Sequence, residues 1–478
     1  MAPATLQTFP LHIANQPVED GGELVAVHAP WDGALIGQVQ RAGPTELEQA
    51  MEAAANAAPI LLRQPAHERQ TLLREIRAGL EARQDEFASM IAWEVGKPIR
   101  YARAEVTRAL GTLKIAEEEA GRIGGEVVPL DWAPHGADHV AFTRQFPLGP
   151  VIGISPFNFP LNLMMHKVAP AIAAGCPILH KPASSGAVTA WMFDQIVREA
   201  GALPGQVQIV PMSVATAEWL VTDPRFKALS FTGSPEVGWV LKAQAGHKKI
   251  TLELGGNASA ILAPDADLND ALPRCVEAAY SYAGQVCISL QRLFVHESQY
   301  DTVRARLILL VEAVKSGDPA DPSTVNGPLI TTGDADRIEE WIAAAVTGGA
   351  TLLTGGARSG QIISAALLDN VDPEAALSCR EAFGPVLILE RYSEFAEACA
   401  RINASRYGLQ ASVFTRDLGL AMQAHQTLHV GGVMINEPPT YRVDSMPYGG
   451  VKLSGLGREG VKYAIEEFTE PRLCVMRW

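Results

Sequence analysis

One cysteine, Cys287, stands among small and polar residues in the segment YAGQVCISLQR, which spans residues 282–292. A thiolate is a nucleophile, whereas most free cysteines are buried and behave as small apolar residues. Both interpretations of Cys287 are open from this segment alone. The six cysteines are scattered without a CxxC pair, and no histidine cluster has metal-ligand spacing. We therefore expect a chain without a disulfide framework and without a metal.

The segment KALSFTGSPEVGWVLKAQA, residues 227–245, predicts a phosphate site. An apolar run stops at Phe231, and a tight turn through Gly233 leads to a helix that Ser234 can cap and Pro235 can begin. The N-terminus of a helix attracts anions, and a glycine lets a phosphate approach the backbone. Because the chain has neither a G-x-G-x-x-G nor a Walker A loop, an ordinary turn without a ligand is the alternative.

Lys181 and Ser184 follow another apolar run, in PILHKPASS. This position is the carboxyl edge of a strand, where open α/β sheets bind ligands. An exposed lysine without a ligand is the alternative.

Short apolar runs alternate with helical segments from about residue 148 to 256, and a second such series covers 258–435. This alternation predicts parallel βαβ units. The fold class is therefore predicted to be α/β, with two doubly wound parallel-sheet domains that meet near residues 253–257.

Residues 45–120 show the apolar spacing of long helices, one of them continuous over 67–96 and another over 97–120. Residues 121–140 are predicted to form a strand or hairpin that leaves the first domain. The C-terminal segment EFTEPRLCVMRW is predicted to form a strand with exposed apolar residues, and such an edge invites pairing.

The net charge of −14 argues against nucleic acid as a partner, because phosphate binding requires a basic surface. The sequence has no run of 18 apolar residues and no signal-peptide pattern at its start. We therefore expect a cytoplasmic protein without a membrane partner.

Five short motifs carry a resemblance to a known family: PFNFP at 156–160, FTGS at 231–234, LELGG at 252–256, GQVC at 284–287 and EAFGP at 381–385. In this order they resemble the NAD(P)-dependent aldehyde dehydrogenase superfamily, and the likeness covers nearly the whole chain. Glu253 and Cys287 lie 34 residues apart, which is typical of that family. The segments HKVAPAIAAG, GQVCIS and MPYGGVKLSGLGREG look most like its lactaldehyde and phosphonoacetaldehyde dehydrogenase branch.

The resemblance implies oxidation of an aldehyde to a carboxylic acid through a thioester on Cys287. Asn158 and the Cys287 backbone N–H would hold the oxyanion, and Glu253 would be the general base for hydrolysis. Branches that acylate coenzyme A generally lack this glutamate, so a hydrolytic dehydrogenase is expected.

The resemblance also implies a nicotinamide cofactor, NAD or NADP. Its predicted binding residues are Pro156, Phe157, Lys181, Ser184, Gly233, Ser234, Leu254, Glu381 and Phe383. Strongly NAD-preferring members often carry a glutamate where Ser184 stands, and a serine removes the repulsion of a 2′-phosphate. The expectation therefore leans slightly to NADP.

The predicted substrate residues are Arg108, His166, Val286, Ile288 and Arg442. Two arginines and a histidine facing one tunnel would suit a short anionic or hydroxylated aldehyde, such as lactaldehyde, glycolaldehyde or a semialdehyde. In the alternative, Arg108 is solvated, His166 is a core histidine and Arg442 pairs with Asp444 or Glu437. Enzymes for phosphorylated or phosphonylated aldehydes tend to have an arginine before the cysteine, and Val286 argues against such substrates.

By resemblance, residues 1–122 and 145–254 form the dinucleotide-binding domain and 255–445 the catalytic domain. Residues 123–144 and 446–478 form a small β oligomerisation element that builds a homodimer or homotetramer. Two other functions stay open. One is a catalytically silent structural or binding protein of the same fold. The other is a thiol esterase, which needs a histidine base near Cys287.

Overall fold

Six strands form the first of two large sheets in the computed structural model, which describes residues 7–478. Their order across the sheet is Val207–Ile209, Ile178–Lys181, Val151–Ile154, Ala228–Thr232, Lys249–Glu253 and Gly455–Leu456. The first five are parallel and the last is antiparallel. The helices between them are Asn162–Ala174, Ala187–Glu199, Val214–Thr222 and Pro235–Gln244. The alternation predicted for this part of the chain is confirmed.

The strand order reverses between Val151–Ile154 and Ala228–Thr232. The chain moves outward from the first of these strands and later returns to its other side. Such a reversal opens a crevice at the carboxyl ends of the strands, where α/β proteins bind ligands. PFNFP and FTGS lie at the ends of these two strands, so the fold brings both motifs to the crevice.

Seven strands form the second sheet, in the order Thr351–Thr354, Ala366–Asp369, Val386–Tyr392, Leu290–His296, Ala258–Leu262, Gln410–Phe414 and Gly432–Ile435. All but the first are parallel to their neighbours. The later helices of the chain are Leu268–Tyr280, Tyr300–Glu312, Thr332–Thr347, Ala376–Cys379, Phe395–Asn403, Leu418–Thr427 and Val461–Glu467. The predicted α/β class is therefore confirmed. The predicted series lacked the first two strands, which are only four residues long each.

The helical region before the first sheet contains Pro44–Leu61, Ala66–Ala82, Gln84–Val95 and Ile99–Ala120. The prediction of one continuous helix over 67–96 is wrong. The backbone leaves helical geometry at Arg83, with φ −115° and ψ 17°, although the apolar spacing continues across the break. Among the helices of residues 7–478, none is long and apolar enough to span a bilayer.

Smaller sheets complete the fold. Their strands are Thr8–Phe9, Leu35–Arg41 and Glu23–His28 in one sheet, and Val127–Val128, His139–Pro147 and Thr469–Arg477 in another. Two-residue ladders pair His12–Ile13 with Gln16–Pro17 and Arg358–Ser359 with Ile362–Ile363. The strand predicted at the C-terminus is present, and it exposes Leu473, Val475 and Met476 at the edge of its sheet.

A buried ion pair anchors the helix Asn162–Ala174, whose residues are all buried. One carboxylate oxygen of Glu105 accepts the N–H groups of Leu161 (2.9 Å) and Asn162 (3.1 Å), where this helix begins. The other oxygen pairs with the Lys97 ammonium at 2.5 Å, and both side chains are fully buried. Glu105 therefore accepts hydrogen bonds from N–H groups that have no partner within the helix, and it also neutralises the charge of Lys97.

Glu105→Gln should lower the free energy of unfolding by about 3–5 kcal/mol, because it leaves the buried Lys97 ammonium without its counter-charge. Urea unfolding followed by tryptophan fluorescence measures the change. The matched control is Glu117→Gln on the same helix, whose pair with Arg74 is partly exposed. The control should cost less than about 1 kcal/mol. Equal losses in the two variants would contradict the role assigned to the buried pair.

Candidate active site

The crevice opens into a cavity of about 680 Å³ that is lined by segments adjoining both large sheets. The predicted site residues on its lining are Arg108, Pro156, Phe157, Asn158, Gly233, Ser234, Glu253, Leu254, Val286, Cys287, Ile288, Glu381, Phe383 and Arg442. Lys181, Ser184 and His166 are not among the lining residues. The fold thus gathers fourteen of the seventeen predicted residues around one space.

Cys287 lies on a loop with an unusual backbone. Three consecutive residues, Tyr282, Ala283 and Gly284, have left-handed dihedral angles with φ of 52°, 55° and 68°. Non-glycine residues rarely adopt this conformation, and the surrounding contacts must hold it. The Tyr282 hydroxyl donates to the Val95 carbonyl at 2.9 Å, and a Cβ on Gly284 would lie 2.2 Å from the Gly384 carbonyl oxygen. The Tyr282 hydrogen bond holds one end of this three-residue stretch, and the close approach of the Gly384 backbone requires a glycine at the other end.

The Cys287 thiol is in the neutral form in this setting. Burial raises its pKa to about 11, and the Tyr448 hydroxyl, 3.1 Å from Sγ, opposes the rise. The carboxyl groups of Glu381 and Glu253 add to the rise, whereas Arg442 lowers the pKa. A free thiol in water has a pKa of about 8.5. The site must therefore stabilise the thiolate when catalysis requires it.

Asn158 connects the PFNFP turn to the cysteine loop. Its amide nitrogen donates to the Gln285 carbonyl at 2.9 Å, two residues before Cys287. An amide nitrogen carries two hydrogens, so one donor remains for a ligand. The Cys287 N–H makes no hydrogen bond to the other described residues. Two donors beside the thiol are thus free.

Glu253 is the last residue of the strand Lys249–Glu253, and it lines the cavity. Both carboxyl oxygens are buried and have no hydrogen-bond partner among the described residues. Burial, and next the negative charge of Glu459, raise the pKa of Glu253 well above its usual value, although Arg442 and Lys167 oppose the rise. A carboxyl group whose pKa is raised in this way holds a proton more readily and is a stronger base when ionised.

Glu459 has the opposite behaviour, although it is also buried. Burial favours its neutral form, but the positive charges of Lys167 and Arg442 outweigh it and hold the pKa of Glu459 below its usual value. The Lys167 ammonium donates to Glu459 at 2.6 Å and to the Thr232 hydroxyl at 2.7 Å. Neither Glu459 nor Lys167 was a predicted site residue. The environment thus separates the pKa values of two neighbouring carboxyl groups.

The predicted phosphate turn has the expected geometry. The Ser234 hydroxyl accepts the N–H of Val237 at 3.4 Å, and Pro235 begins a helix of ten residues. A Cβ on Gly238 would lie 2.5 Å from Leu254, so this glycine permits close packing of the helix on the sheet. The free N–H groups at this helix end face the crevice and suit an anion.

Glu381 and Phe383 line the same cavity. Glu381 accepts the N–H of Gly256 at 3.0 Å, and burial raises its pKa to about 7. The rings of Phe157 and Phe383 meet edge to face, with centroids 6.0 Å apart. An anion-binding helix end, a carboxyl group that can accept from hydroxyls and an aromatic flank together fit a dinucleotide.

Lys181 and Ser184 lie beside the crevice, at the end of strand Ile178–Lys181 and at the start of a short turn of 3₁₀ helix. Burial lowers the pKa of Lys181, and Arg41 adds to this effect. The Glu94 carboxylate accepts the N–H groups of Val188 and Thr189, and so fixes the helix that follows Ser184.

Asp444, which the sequence offered only as a possible partner of Arg442, is the carboxylate on which Arg108, His166 and Arg442 converge. Arg108 donates to its two oxygens at 3.1 and 2.7 Å, and His166 Nε2 lies 2.7 Å from Oδ1. The Arg442 guanidinium lies farther away, with its Nε 3.9 Å from Asp444. His166 and Asp444 lie 278 residues apart in the sequence, so no local pattern could indicate their contact.

His166 is buried behind Asp444, away from the cavity lining, so a direct contact with a substrate is not available to it. Burial and the nearby Arg442 lower its pKa, which keeps the imidazole neutral. Arg108 and Arg442 do line the cavity. The predicted cluster therefore divides into two arginines at the cavity and a histidine that supports their counter-ion.

Asp444→Asn should lower the free energy of unfolding by about 3–5 kcal/mol, because Arg108 and Arg442 lose a buried counter-charge. Burial would raise the pKa of Asp444, but its hydrogen bonds with His166 and Arg108 outweigh burial and hold the pKa below its usual value. Its contribution is therefore present above pH ~3.9 and is lost as the pH falls further. Urea unfolding at several pH values measures this.

The matched control is Asp270→Asn, which removes an exposed carboxylate paired with Arg274. It should cost less than about 1 kcal/mol at every pH. A loss for Asp444→Asn that does not exceed the control would contradict the central position of Asp444.

Comparison with known proteins identifies the family. The model of the aldehyde dehydrogenase family matches residues 18–474. The 3-sulfolactaldehyde dehydrogenase of Priestia megaterium is 43% identical over 411 residues, which are 86% of this chain and 86% of that protein. The lactaldehyde dehydrogenase of Methanococcus vannielii is 36% identical over 458 residues, 94% of this chain and 96% of that protein.

Solved structures agree with this result. Aldehyde dehydrogenase 21 from Physcomitrella patens, in complex with the reaction product succinate, matches with a TM-score of 0.97 and 42% identity, over 99% of both chains. The NADP-dependent glyceraldehyde-3-phosphate dehydrogenase from Bacillus halodurans, complexed with NADP, matches with a TM-score of 0.96 and 34% identity, over 98% of this chain and 99% of that chain. This chain therefore belongs to the aldehyde dehydrogenase family and is an aldehyde-oxidising enzyme.

Proposed function

We propose that the enzyme oxidises a short aldehyde with an anionic group to its carboxylic acid, through a thioester on Cys287. One observation carries the proposal: a partly buried thiol, and a buried carboxyl group without a partner among the described residues, border the same cavity as an anion-binding helix end. A thiol supplies the nucleophile, and a carboxyl group with a raised pKa supplies the base.

The first step is addition of the Cys287 thiolate to the aldehyde carbon, which places a negative charge on the carbonyl oxygen. The free amide hydrogen of Asn158 and the N–H of Cys287 are the donors for that oxyanion. Losing one such donor typically costs ~100- to 1000-fold in rate. The nicotinamide cofactor, when bound, accepts the hydride of the substrate carbon.

The second step is hydrolysis of the thioester, for which the ionised fraction of Glu253 takes a proton from water while the water oxygen adds to the thioester carbon and Cys287 leaves as the thiolate. Glu253 can hold that proton because burial raises its pKa. Glu459 stays ionised beside Lys167 and contributes the charge that makes Glu253 a stronger base.

The cofactor is NAD or NADP, with a slight preference for NADP. Gly233 and Ser234 would hold the diphosphate and Glu381 the nicotinamide ribose. Lys181 and Ser184 would lie at the adenosine ribose. Neither side chain carries a carboxylate that would repel a 2′-phosphate. The similar structure from Bacillus halodurans contains NADP.

The charges at the cavity favour a substrate with one negative charge. In the ion-pair cluster that Arg442 joins, Arg108, Arg442 and Lys167 are the cations, and Asp444 and Glu459 are the ionised carboxylates. With Glu253 and His166 neutral, one positive charge is left. A sulfonate or a carboxylate carries one compensating charge. Relatives named for 3-sulfolactaldehyde, and a neighbour that binds succinate, have ligands of this class.

Val286 and Ile288, on either side of Cys287, would form apolar walls against the short carbon chain. A substrate hydroxyl, as in lactaldehyde or glycolaldehyde, is compatible with this pocket. Asn162, which lines the cavity and contacts Asp444 at 3.3 Å, is the polar side chain available to it.

The exposed edge of the C-terminal strand supports the proposal that the enzyme is a homodimer or homotetramer. The division into a dinucleotide-binding domain, a catalytic domain and an oligomerisation element is part of the same proposal. A thiol esterase is less well supported. The described lining of the cavity contains no histidine, and His296 contacts Ser298 away from it.

Glu253→Gln should keep a pre-steady-state burst of reduced cofactor but slow steady turnover ~100-fold or more, because the amide cannot take a proton from water. Stopped-flow absorbance measures both phases. Cys287→Ala is the control and should lose the burst as well as the turnover. An unchanged steady rate in Glu253→Gln would refute the hydrolytic role.

Arg442→Leu should raise KM for aldehydes with a carboxylate or sulfonate ~10- to 100-fold more than KM for neutral aldehydes of the same length. Comparing the two substrate classes in one variant removes any effect on the nucleophile itself. The control Arg337→Leu removes another cation from the cavity lining and should change both classes equally. Equal effects of Arg442→Leu on KM for the two substrate classes would contradict the proposed anion pocket.

A further inference from the structure

The side chain of Tyr448 reaches the nucleophile from a segment that gave no catalytic signal in the sequence. Its hydroxyl oxygen lies 3.1 Å from Cys287 Sγ. The residue is buried, and this sulfur is the only hydrogen-bond partner of the hydroxyl among the described residues. Phenylalanine would fill the same space, so packing alone does not require the hydroxyl.

The position of Tyr448 is fixed by backbone pairing. Its N–H donates to the Glu459 carbonyl at 3.0 Å, and the N–H of Glu459 donates to the Tyr448 carbonyl at 2.6 Å. The same bridge thus holds the tyrosine and the carboxylate that faces Glu253. A hydroxyl held in this way loses little freedom when it bonds to the sulfur.

The guanidinium of Arg442 lies over the Tyr448 ring, 3.6 Å from its centroid. A cation over a phenol ring is attracted to the ring and draws electron density from it. The hydroxyl therefore becomes a stronger hydrogen-bond donor. Arg442 also lines the cavity, so one cation contacts both the ring and the space for the substrate.

The hydroxyl keeps its proton in this environment. Burial and the neighbouring Cys287 raise the pKa of Tyr448 well above its usual value, although Arg442 opposes this. A protonated phenol can only donate to a thiolate, which has no proton of its own.

We propose that Tyr448 is a further catalytic residue, which donates its hydroxyl hydrogen bond to Cys287 Sγ, stabilises the thiolate and couples Arg442 to the nucleophile. No covalent bond changes at Tyr448, because the thiol proton leaves to solvent and the O–H stays intact. This inference rests on the proposed function of Cys287 as the nucleophile.

The test is the pH dependence of Cys287 alkylation by iodoacetamide in the full-length enzyme without added ligands. Peptide mass spectrometry separates Cys287 from the other five cysteines. Tyr448→Phe should lower the thiolate fraction at a given pH ~10- to 100-fold, because a thiolate loses a hydrogen bond to a charged acceptor. The control Tyr407→Phe, on the same cavity, should leave alkylation of Cys287 unchanged.

An alkylation profile of Tyr448→Phe equal to that of the wild type would overturn the proposal, and so would faster alkylation. The coupling to Arg442 has its own test. The double variant Tyr448→Phe/Arg442→Leu should change the thiolate fraction by less than the product of the two single effects. Strictly multiplicative effects would contradict the coupling. Alkylation needs no turnover. Its result therefore tests the role of Tyr448 separately from the proposed function, which the loss of activity in Cys287→Ala tests.

Discussion

The burial of two acidic groups, Cys287 and Glu253, is the constraint on which the rest of the site depends. Both favour the neutral form because no counter-ion contacts them directly. Neutral groups are poor nucleophiles and weak bases, so the surroundings must supply charge at the correct moment. The burial has an advantage, because hydrogen bonds and charges act more strongly there than in water.

Two buried charge clusters meet this requirement from behind the cavity. In one, Lys167 holds Glu459 ionised, and Glu459 in turn raises the pKa of Glu253. In the other, Asp444 fixes Arg108 and lies near Arg442. The clusters are joined through Arg442, which lies 3.7 Å from Glu459 and over the Tyr448 ring. The proposed substrate recognition and the proposed activation of the nucleophile thus depend on one electrostatic network.

Local patterns predicted much of this arrangement. The alternation of apolar runs and helices predicted the α/β class, and the FTGS turn predicted the helix end at the crevice, because both depend on neighbouring residues. The break at Arg83 was missed since the apolar spacing runs through it. Tyr448 was missed, and Asp444 was expected only as a partner of Arg442, for another reason. Each contacts a residue more than 150 positions away in the sequence, and only the fold brings such pairs together.

The most direct test of the account is to locate the acyl group. Enzyme mixed with the cofactor and a short anionic aldehyde is quenched in acid within the first turnover, digested and examined by peptide mass spectrometry. The account predicts that the peptide with Cys287 gains the mass of the acyl group as a thioester that hydroxylamine removes. Reduced cofactor formed in the same quench without that adduct, or with the acyl group on another residue, would contradict it.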